Sequence, residues 1–247
     1  MGCVAFVMGV ATLVAGAGKG PPAVPASRAK PPAELGLQWV FSARARVEFS
    51  KSEVTVAQYR ACVQAGHCSM EKGMTEDAPC NLGHADRGRH PVNCVNWKQA
   101  SDFCSWVGGR LPTDWQWEAE AIAHDNRKNP WGGEAVSCER AVMNQGGLGC
   151  GRGSTWPVCS KPAGNSVSGL CDMSGNVWEW TSSRQIEGTG TPIWNKEGQK
   201  HPTFDRRAVR GGSWASEDSL ELSSSGRSGY KESTRYFLIG FRCVRSP

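Results

Sequence analysis

Residues 171–180 read C-D-M-S-G-N-V-W-E-W. Asp172 and Glu179 set a carboxylate at each side of a Ser174-Gly175-Asn176 turn. Trp178 and Trp180 alternate around Glu179, which predicts a strand leaving the turn with both indoles on one face. Carbonyls of a Gly-Asn turn can point inward, and with two carboxylates beside them they suit a hard, oxygen-seeking cation such as calcium. The same ten residues also read as a plain turn into a strand with one structural glutamate.

Outward from this stretch, regular structure is sparse. Thr55-Val-Ala-Gln58 is a T-x-x-Q capping box opening a helix to about Ala65, where Gly66 ends it. Asn96-Trp-Lys-Gln99 opens a second helix with Ala100, Phe103, Cys104 and Val107 on one face, stopped by Gly108-Gly109. Thr113-Asp-Trp-Gln116 opens a third, short one through Ala123. Beyond His124 the chain turns rich in Gly, Asn and Ser, and strands are islands: Gln38–Phe41, Val177–Thr181, Ala208–Arg210 and Gly240–Val244. Few helices, many loops and short strands make an α+β pattern of low regular content. No internal repeat and no membrane span is evident in the body of the chain.

The bulk properties narrow the setting. A chain of 247 residues without an internal linker after its first forty reads as one domain. Eleven Trp against three Tyr imply a core built on indoles, each N–H needing a partner when buried. The net charge of +5 is dispersed, and no basic block is interleaved with aromatics, so nucleic-acid binding has no support. Residues 1–17 resemble a signal peptide or short anchor: Val4–Ala15 is apolar, Ala15-Gly16-Ala17 suits cleavage, and no Lys or Arg precedes the apolar run. Residues 18–35 are rich in Pro, Ala and Gly and read as a tether, leaving 36–247 as the domain. Apart from Cys3, the cysteines are Cys62, Cys68, Cys80, Cys94, Cys104, Cys138, Cys150, Cys159, Cys171 and Cys243, an even set with no C-x-x-C pair. That favours disulfides over zinc, and export to a bacterial periplasm, cell surface or medium. Cys62 to Cys94 are close enough to staple one insertion, and Cys138 to Cys171 another.

Further motifs stand in a fixed order: Arg110-Leu-Pro-Thr113 before Trp115, Trp117 and Glu118; Pro130-Trp-Gly132; the 171–180 stretch; Arg210-Gly-Gly-Ser-Trp214; and Gly240-Phe-Arg-Cys243. In this order and spacing they resemble the sulfatase-modifying-factor family, whose founding members are formylglycine-generating enzymes, from about Phe49 to Val244. The resemblance implies a variant of the C-type-lectin-like fold, loop-rich and stapled by disulfides, with Cys104 joined to Cys243. It also implies a structural calcium ion held by the Asp172 side chain, the carbonyls of Gly175 and Val177, and the Glu179 carboxylate. A second family calcium site would start near Asn144, but residues 146–157 hold no Asp or Glu to complete it.

The resemblance implies an oxidation of substrate cysteine by oxygen, run by two thiols five residues apart that bind copper(I). Counted from Ser213, those positions are Ser216 and Glu221, and no cysteine lies between Cys171 and Cys243. Copper(I) prefers soft sulfur, so copper is not expected and no catalytic residue is assigned. Relatives in ergothioneine-type synthesis bind iron through histidines, and no H-x-x-x-H pair occurs here. His84, Asp86 and His90 are close enough to make a metal site, although loop histidines ordinarily do not. The surviving pocket would be lined by Trp178, Ser213, Trp214, Ser216, Glu221 and Arg227, suited to a protein, peptide or small polar ligand; Arg227 reads equally as a structural residue. Two function classes follow: an exported, calcium-stabilised ligand- or protein-binding module, or an oxidoreductase of the family acting on a protein or peptide with different active-site chemistry.

Overall fold

Three short helices begin on side chains that satisfy their own first turns. Thr55, Asn96 and Thr113 each accept the N–H three residues on, from Gln58, Gln99 and Gln116, whose side chains return the bond to the cap backbone. These closed capping boxes start α1 (Val56–Gln64), α2 (Trp97–Trp106) and α3 (Asp114–Ile122). The computed structural model describes residues 1–2, 35–75, 79–185, 206–217 and 219–247. All but residues 1–2 of the expected export segment at 1–17, and all but Leu35 of the tether at 18–35, therefore lie outside the described residues.

Two small sheets flank the helices. β1 (Trp39–Ser42), β2 (Val47–Ser50) and β7 (Val244–Arg245) form an antiparallel sheet in the order β1-β2-β7. The other sheet runs β5-β4-β3-β6, from β5 (Arg227–Lys231), β4 (Arg206–Arg210), β3 (Trp178–Arg184) and β6 (Ile239–Gly240). β6 lies parallel to β3, and the other pairs are antiparallel. The single strand expected over Gly240–Val244 is thus two strands in two sheets. The residues between them are held by other partners: Phe241 O accepts from Val54 N, Cys243 O accepts from Ser50 N, and Cys243 N donates to Ser50 Oγ. β2 and β5 have no counterpart among the expected islands, because V-E-F-S is too short to show a period and R-S-G-Y-K carries turn residues.

β3 divides the core. Trp178 and Trp180 face one cluster with Tyr59, Phe103 and Phe241, contributed by α1, α2 and the 241 segment. A second cluster holds Trp117, Met173, Phe49, Leu170 and Val244, packed around α3 and β2. Both indoles do leave the turn together, and indole N–H groups find carbonyls where the fold supplies them: buried Trp180 Nε1 to Val95 O at 3.0 Å, and half-buried Trp97 Nε1 to Thr181 O at 2.8 Å.

Five disulfides pin the loops: Cys62–Cys68, Cys80–Cys94, Cys138–Cys150, Cys159–Cys171 and Cys104–Cys243. Four close short loops, whereas Cys104–Cys243 spans 139 residues and ties α2 to the link between β6 and β7. Such bonds suit an oxidising compartment. Among the described residues no helix is long and apolar enough to cross a membrane. Closing a loop of about 100 residues removes about 4–5 kcal/mol of unfolded-state entropy, and a very short loop much less. The pair Cys104→Ala with Cys243→Ala should therefore lower the unfolding free energy in urea clearly more than Cys62→Ala with Cys68→Ala. Equal losses would show that native packing, not loop length, sets the contribution.

Candidate functional site

The 171–180 loop is shaped by backbone that few side chains tolerate. Asp172 (φ 55°), Gly175 (φ 81°) and Asn176 (φ 61°) are left-handed. At Gly175 a Cβ would stand 2.4 Å from Val142 O, so only glycine allows the 140s segment this close. Asn176 then binds in four directions. Its N donates to Val142 O at 2.8 Å, its O accepts from Trp214 N at 2.9 Å, its Oδ1 accepts from Trp156 N at 3.0 Å, and its Nδ2 donates to Glu53 Oε2 at 2.7 Å.

Beneath the loop lies a buried charge cluster. Arg242, fully buried, makes a two-pronged pair with Glu179: Nη2 to Oε1 at 2.6 Å and Nε to Oε2 at 2.7 Å. Trp117 Nε1 also donates to Glu179 Oε2 at 2.7 Å, and Arg242 Nη2 donates to Cys171 O at 2.8 Å. Asp172 Oδ2 accepts from Cys159 N at 2.6 Å. A third carboxylate, Glu53, accepts from Val177 N at 3.0 Å as well as from Asn176. Nothing in K-S-E-V-T marks Glu53 as buried, and sequence reasoning missed it. Three buried carboxylates thus face one guanidinium. Burial, then the charges of Asp172 and Glu179, push Glu53 well above the ordinary carboxylate range, with Arg242 opposing. Burial pushes Asp172 up to about 6, with the Cys159 N–H and Arg242 opposing.

That surplus of buried negative charge is an observation against which the expected calcium ion can be tested. The surplus negative charge suits a divalent cation, while both Glu179 oxygens already accept from Arg242 or Trp117 and among the described residues no three acidic side chains are grouped around one point. Asp172, the carbonyls of Gly175 and Val177, and Glu179 would hold it, with Glu179 shared between the ion and Arg242. Its role there would be to neutralise the cluster.

The second group of expected residues follows β4. Gly212 (φ 74°) has no room for a side chain, since a Cβ would meet Leu222 Cδ2 at 2.7 Å, and the 219–224 segment closes back over the turn. This brings Ser213, Ser216 and Glu221 together. Ser216 Oγ donates to Glu221 Oε2 at 2.6 Å and accepts from Ser213 N at 3.1 Å, with Ser213 Oγ 3.4 Å away. Both serines are buried and Glu221 is exposed. The two positions that the family resemblance gives to thiols are therefore joined by a hydroxyl–carboxylate hydrogen bond. Ser216 directs its single proton to the Glu221 carboxylate, and no histidine stands between them as in the usual activated serine.

Other expected residues are placed differently. Arg227 Nη1 pairs with Asp114 Oδ2 at 3.0 Å; Arg210 pairs with Asp114 Oδ1 and, at 2.7 Å, with Glu118 Oε2, tying α3 to β4 and β5. Trp178 lies in the α1–α2 core. Trp214 is buried against Phe237, ring centroids 5.8 Å apart, and its Nε1 has no partner among the described residues. His90 Nδ1 lies 2.9 Å from Thr155 Oγ1. Among the described residues no three His, Cys, Asp or Glu side chains are grouped to hold a metal, so His84, Asp86 and His90 do not assemble one. Asn144 Nδ2 bonds to Glu217, an acidic partner that comes from the 213–217 turn.

Removing one member of a buried ion pair leaves an unpaired charge and costs about 3–5 kcal/mol, whereas replacing both with apolar residues costs far less. Arg242→Met should thus destabilise strongly in urea unfolding, and adding Glu179→Leu should recover much of the loss. A single variant as mild as the double would show that the pair is incidental.

With the geometry in view, known proteins place the chain. The family model described as sulfatase-modifying factor enzyme 1-like domain matches residues 43–247. Hercynine oxygenase of Mycolicibacterium smegmatis is 37% identical over 146 residues, covering 54% of this chain and 33% of that protein. Inactive C-alpha-formylglycine-generating enzyme 2 of Mus musculus is 31% identical over 175 residues, covering 63% of this chain and 49% of that protein. The chain thus spans a third to a half of the length of these curated relatives. The structure of PvdO from Pseudomonas aeruginosa superposes with a TM-score of 0.63 at 21% identity, covering 81% of this chain and 80% of that one, a likeness of fold. Matched from residue 43 to 247, over all three α-helices, both site segments and the strands from β2 onward, the chain belongs to the sulfatase-modifying factor family.

Proposed function

We propose that this domain works outside the cytoplasm as a calcium-stabilised module that binds a protein, peptide or small polar ligand, without the family's copper chemistry. The observation that carries the reading is the Ser216–Glu221 hydrogen bond at 2.6 Å, which puts only hard oxygen donors where copper(I) needs two thiolates. The ten cysteines from Cys62 to Cys243 are all in disulfides, so no thiol among them is available to replace the pair. Loops pinned by disulfides present recognition groups with little entropy left to lose on binding. A family member named as inactive, the mouse relative above, is a precedent for the scaffold persisting without the founding activity. The second reading is an oxidoreductase on a protein or peptide substrate with different active-site chemistry. The name of the hercynine oxygenase relative favours it, because that protein is an oxygenase.

Metal content and oxygen uptake separate the two. Elemental analysis after mild dialysis should find calcium and neither copper nor iron, and a cysteine-containing peptide should produce no oxygen consumption. Stoichiometric copper or iron with turnover would establish the oxidoreductase instead.

The calcium component has its own pH signature. Asp172 titrates at about 6 in the fold against an ordinary 3.8, so the folded state holds the extra proton between those values. Without calcium, this group's contribution to stability is therefore present at low pH and lost as pH rises through 6. Calcium supplies the missing charge only once the carboxylates are ionised. Thermal unfolding with and without a chelator should show calcium raising the melting temperature at pH 7.5, by a margin that shrinks toward pH 5. A margin that grows on acidification would contradict a carboxylate site.

A further inference from the structure

The five disulfides are not equally sheltered. Both residues are buried in Cys62–Cys68, Cys80–Cys94 and Cys104–Cys243, and both are half-buried in Cys138–Cys150. Cys159–Cys171 is asymmetric. Cys171 is 2% exposed, whereas Cys159 is half-buried and forms part of the wall of a cleft of about 670 Å³. Among the described residues no other cysteine lines that cleft.

The two ends of this disulfide are anchored differently. Cys171 N donates to Lys51 O, and Cys171 O accepts from Arg242 Nη2, both at 2.8 Å, which fixes Cys171 to the buried charge cluster. Cys159 N donates to Asp172 Oδ2 at 2.6 Å, and its neighbour Val158 N donates to Arg89 O at 2.9 Å. Lys51, Arg89 and Val158 line the same cleft as Cys159, so one end of the disulfide stands on the wall while the other is held behind it. Access decides which sulfur of a disulfide an incoming thiolate attacks. Here that is the sulfur of Cys159, with Cys171 as the leaving group. The volume lies in the range of small-molecule sites, about 300–1,000 Å³, and Leu35, Leu37, Ala57 and Ala61 give the walls apolar surface.

We infer that Cys159–Cys171 is a thiol–disulfide exchange site, at which a cysteine-bearing peptide entering the cleft is captured as a mixed disulfide on Cys159. The ligand thiolate bonds to Cys159 Sγ, the Cys159–Cys171 bond breaks, and its electron pair leaves on Cys171 Sγ, which takes up a proton. A second ligand thiolate then attacks the ligand sulfur of the mixed disulfide, and Cys159 leaves and is protonated in turn. Two ligand thiols are oxidised to one disulfide, the protein disulfide is reduced to two thiols, and two protons pass from ligand to protein. The inference deepens the module reading by naming a ligand class. Because the balance needs no oxygen, its failure leaves the metal and oxygen measurements untouched, and theirs leaves it untouched.

Anaerobic incubation of the full chain with reduced glutathione, trapping of free thiols with N-ethylmaleimide and peptide mass mapping test it. Cys159 should carry the first glutathione adduct and Cys171 should be the first thiol trapped. Loss of this pair should run at least about tenfold faster than loss of any of the three buried pairs, since exchange follows access. Cys138→Ala with Cys150→Ala should leave the rate at Cys159 unchanged, and Cys159→Ala with Cys171→Ala should remove the early adduct. Faster capture of a cysteine-containing decapeptide than of glutathione assigns the cleft walls a share of the contact, and equal or slower capture identifies a small thiol; both support the site. A first adduct on Cys138, Cys150 or Cys171, or opening of Cys159–Cys171 no faster than the buried pairs, overturns it.

Discussion

The pair between Arg242 and Glu179 is the constraint around which the domain is organised. Glu179 lies on β3, between the two indoles that face the α1–α2 core, and points into the opposite cluster. Arg242 lies on the short link where the chain passes from one sheet to the other. Their contact, with Trp117 from α3 and Cys171 O from the loop, joins four separate elements through one desolvated guanidinium. In a low-dielectric interior such a pair contributes geometry more surely than energy, because desolvation cancels much of the attraction. A wrong register leaves either charge buried and alone, which makes alternatives costly. Cys243 follows Arg242 directly, so the longest disulfide locks the same link covalently.

The cluster is also the fold's least comfortable feature. Glu53 and Asp172 add two carboxylates that Arg242 cannot balance, and burial raises both. The loop above it holds left-handed residues at Asp172 and Asn176, where most side chains are disfavoured. Strain and excess charge in one place are tolerated because Asn176 binds Val142, Trp156, Trp214 and Glu53 together. A divalent cation would relieve the electrostatic part without moving the backbone.

The two site segments are mechanically connected. Trp214 donates its N–H to Asn176 O, and Asn144 donates to Ser216 O, so the loop over the charge cluster and the Ser213–Glu221 turn share a backbone frame. One frame can carry different chemistry, which depends on the side chains that occupy it. Here those side chains are a serine and a glutamate that satisfy one another.

Local signals in the sequence were enough for the starts of α1, α2 and α3, since T-x-x-Q, N-x-x-Q and T-x-x-Q complete their hydrogen bonds within four residues. The alternation W-E-W likewise needed only the period of a strand to place both indoles on one face. Motif order was enough for the family, and through it for the α+β, loop-rich class. What the sequence could not express were interactions between residues far apart in the chain. Glu53 is buried because Asn176 and Val177 donate to it from more than a hundred residues away, and its own neighbours carry no trace of that. Gly240–Val244 reads as one strand, but Arg242 must turn inward to reach Glu179, and the strand divides. Arg227, legible as either a ligand group or a structural one, is claimed by Asp114 on α3. Short-range hydrogen bonding and side-chain period are properties of the sequence itself. Which charges share a buried site depends on long-range packing, and only the tertiary structure decides it.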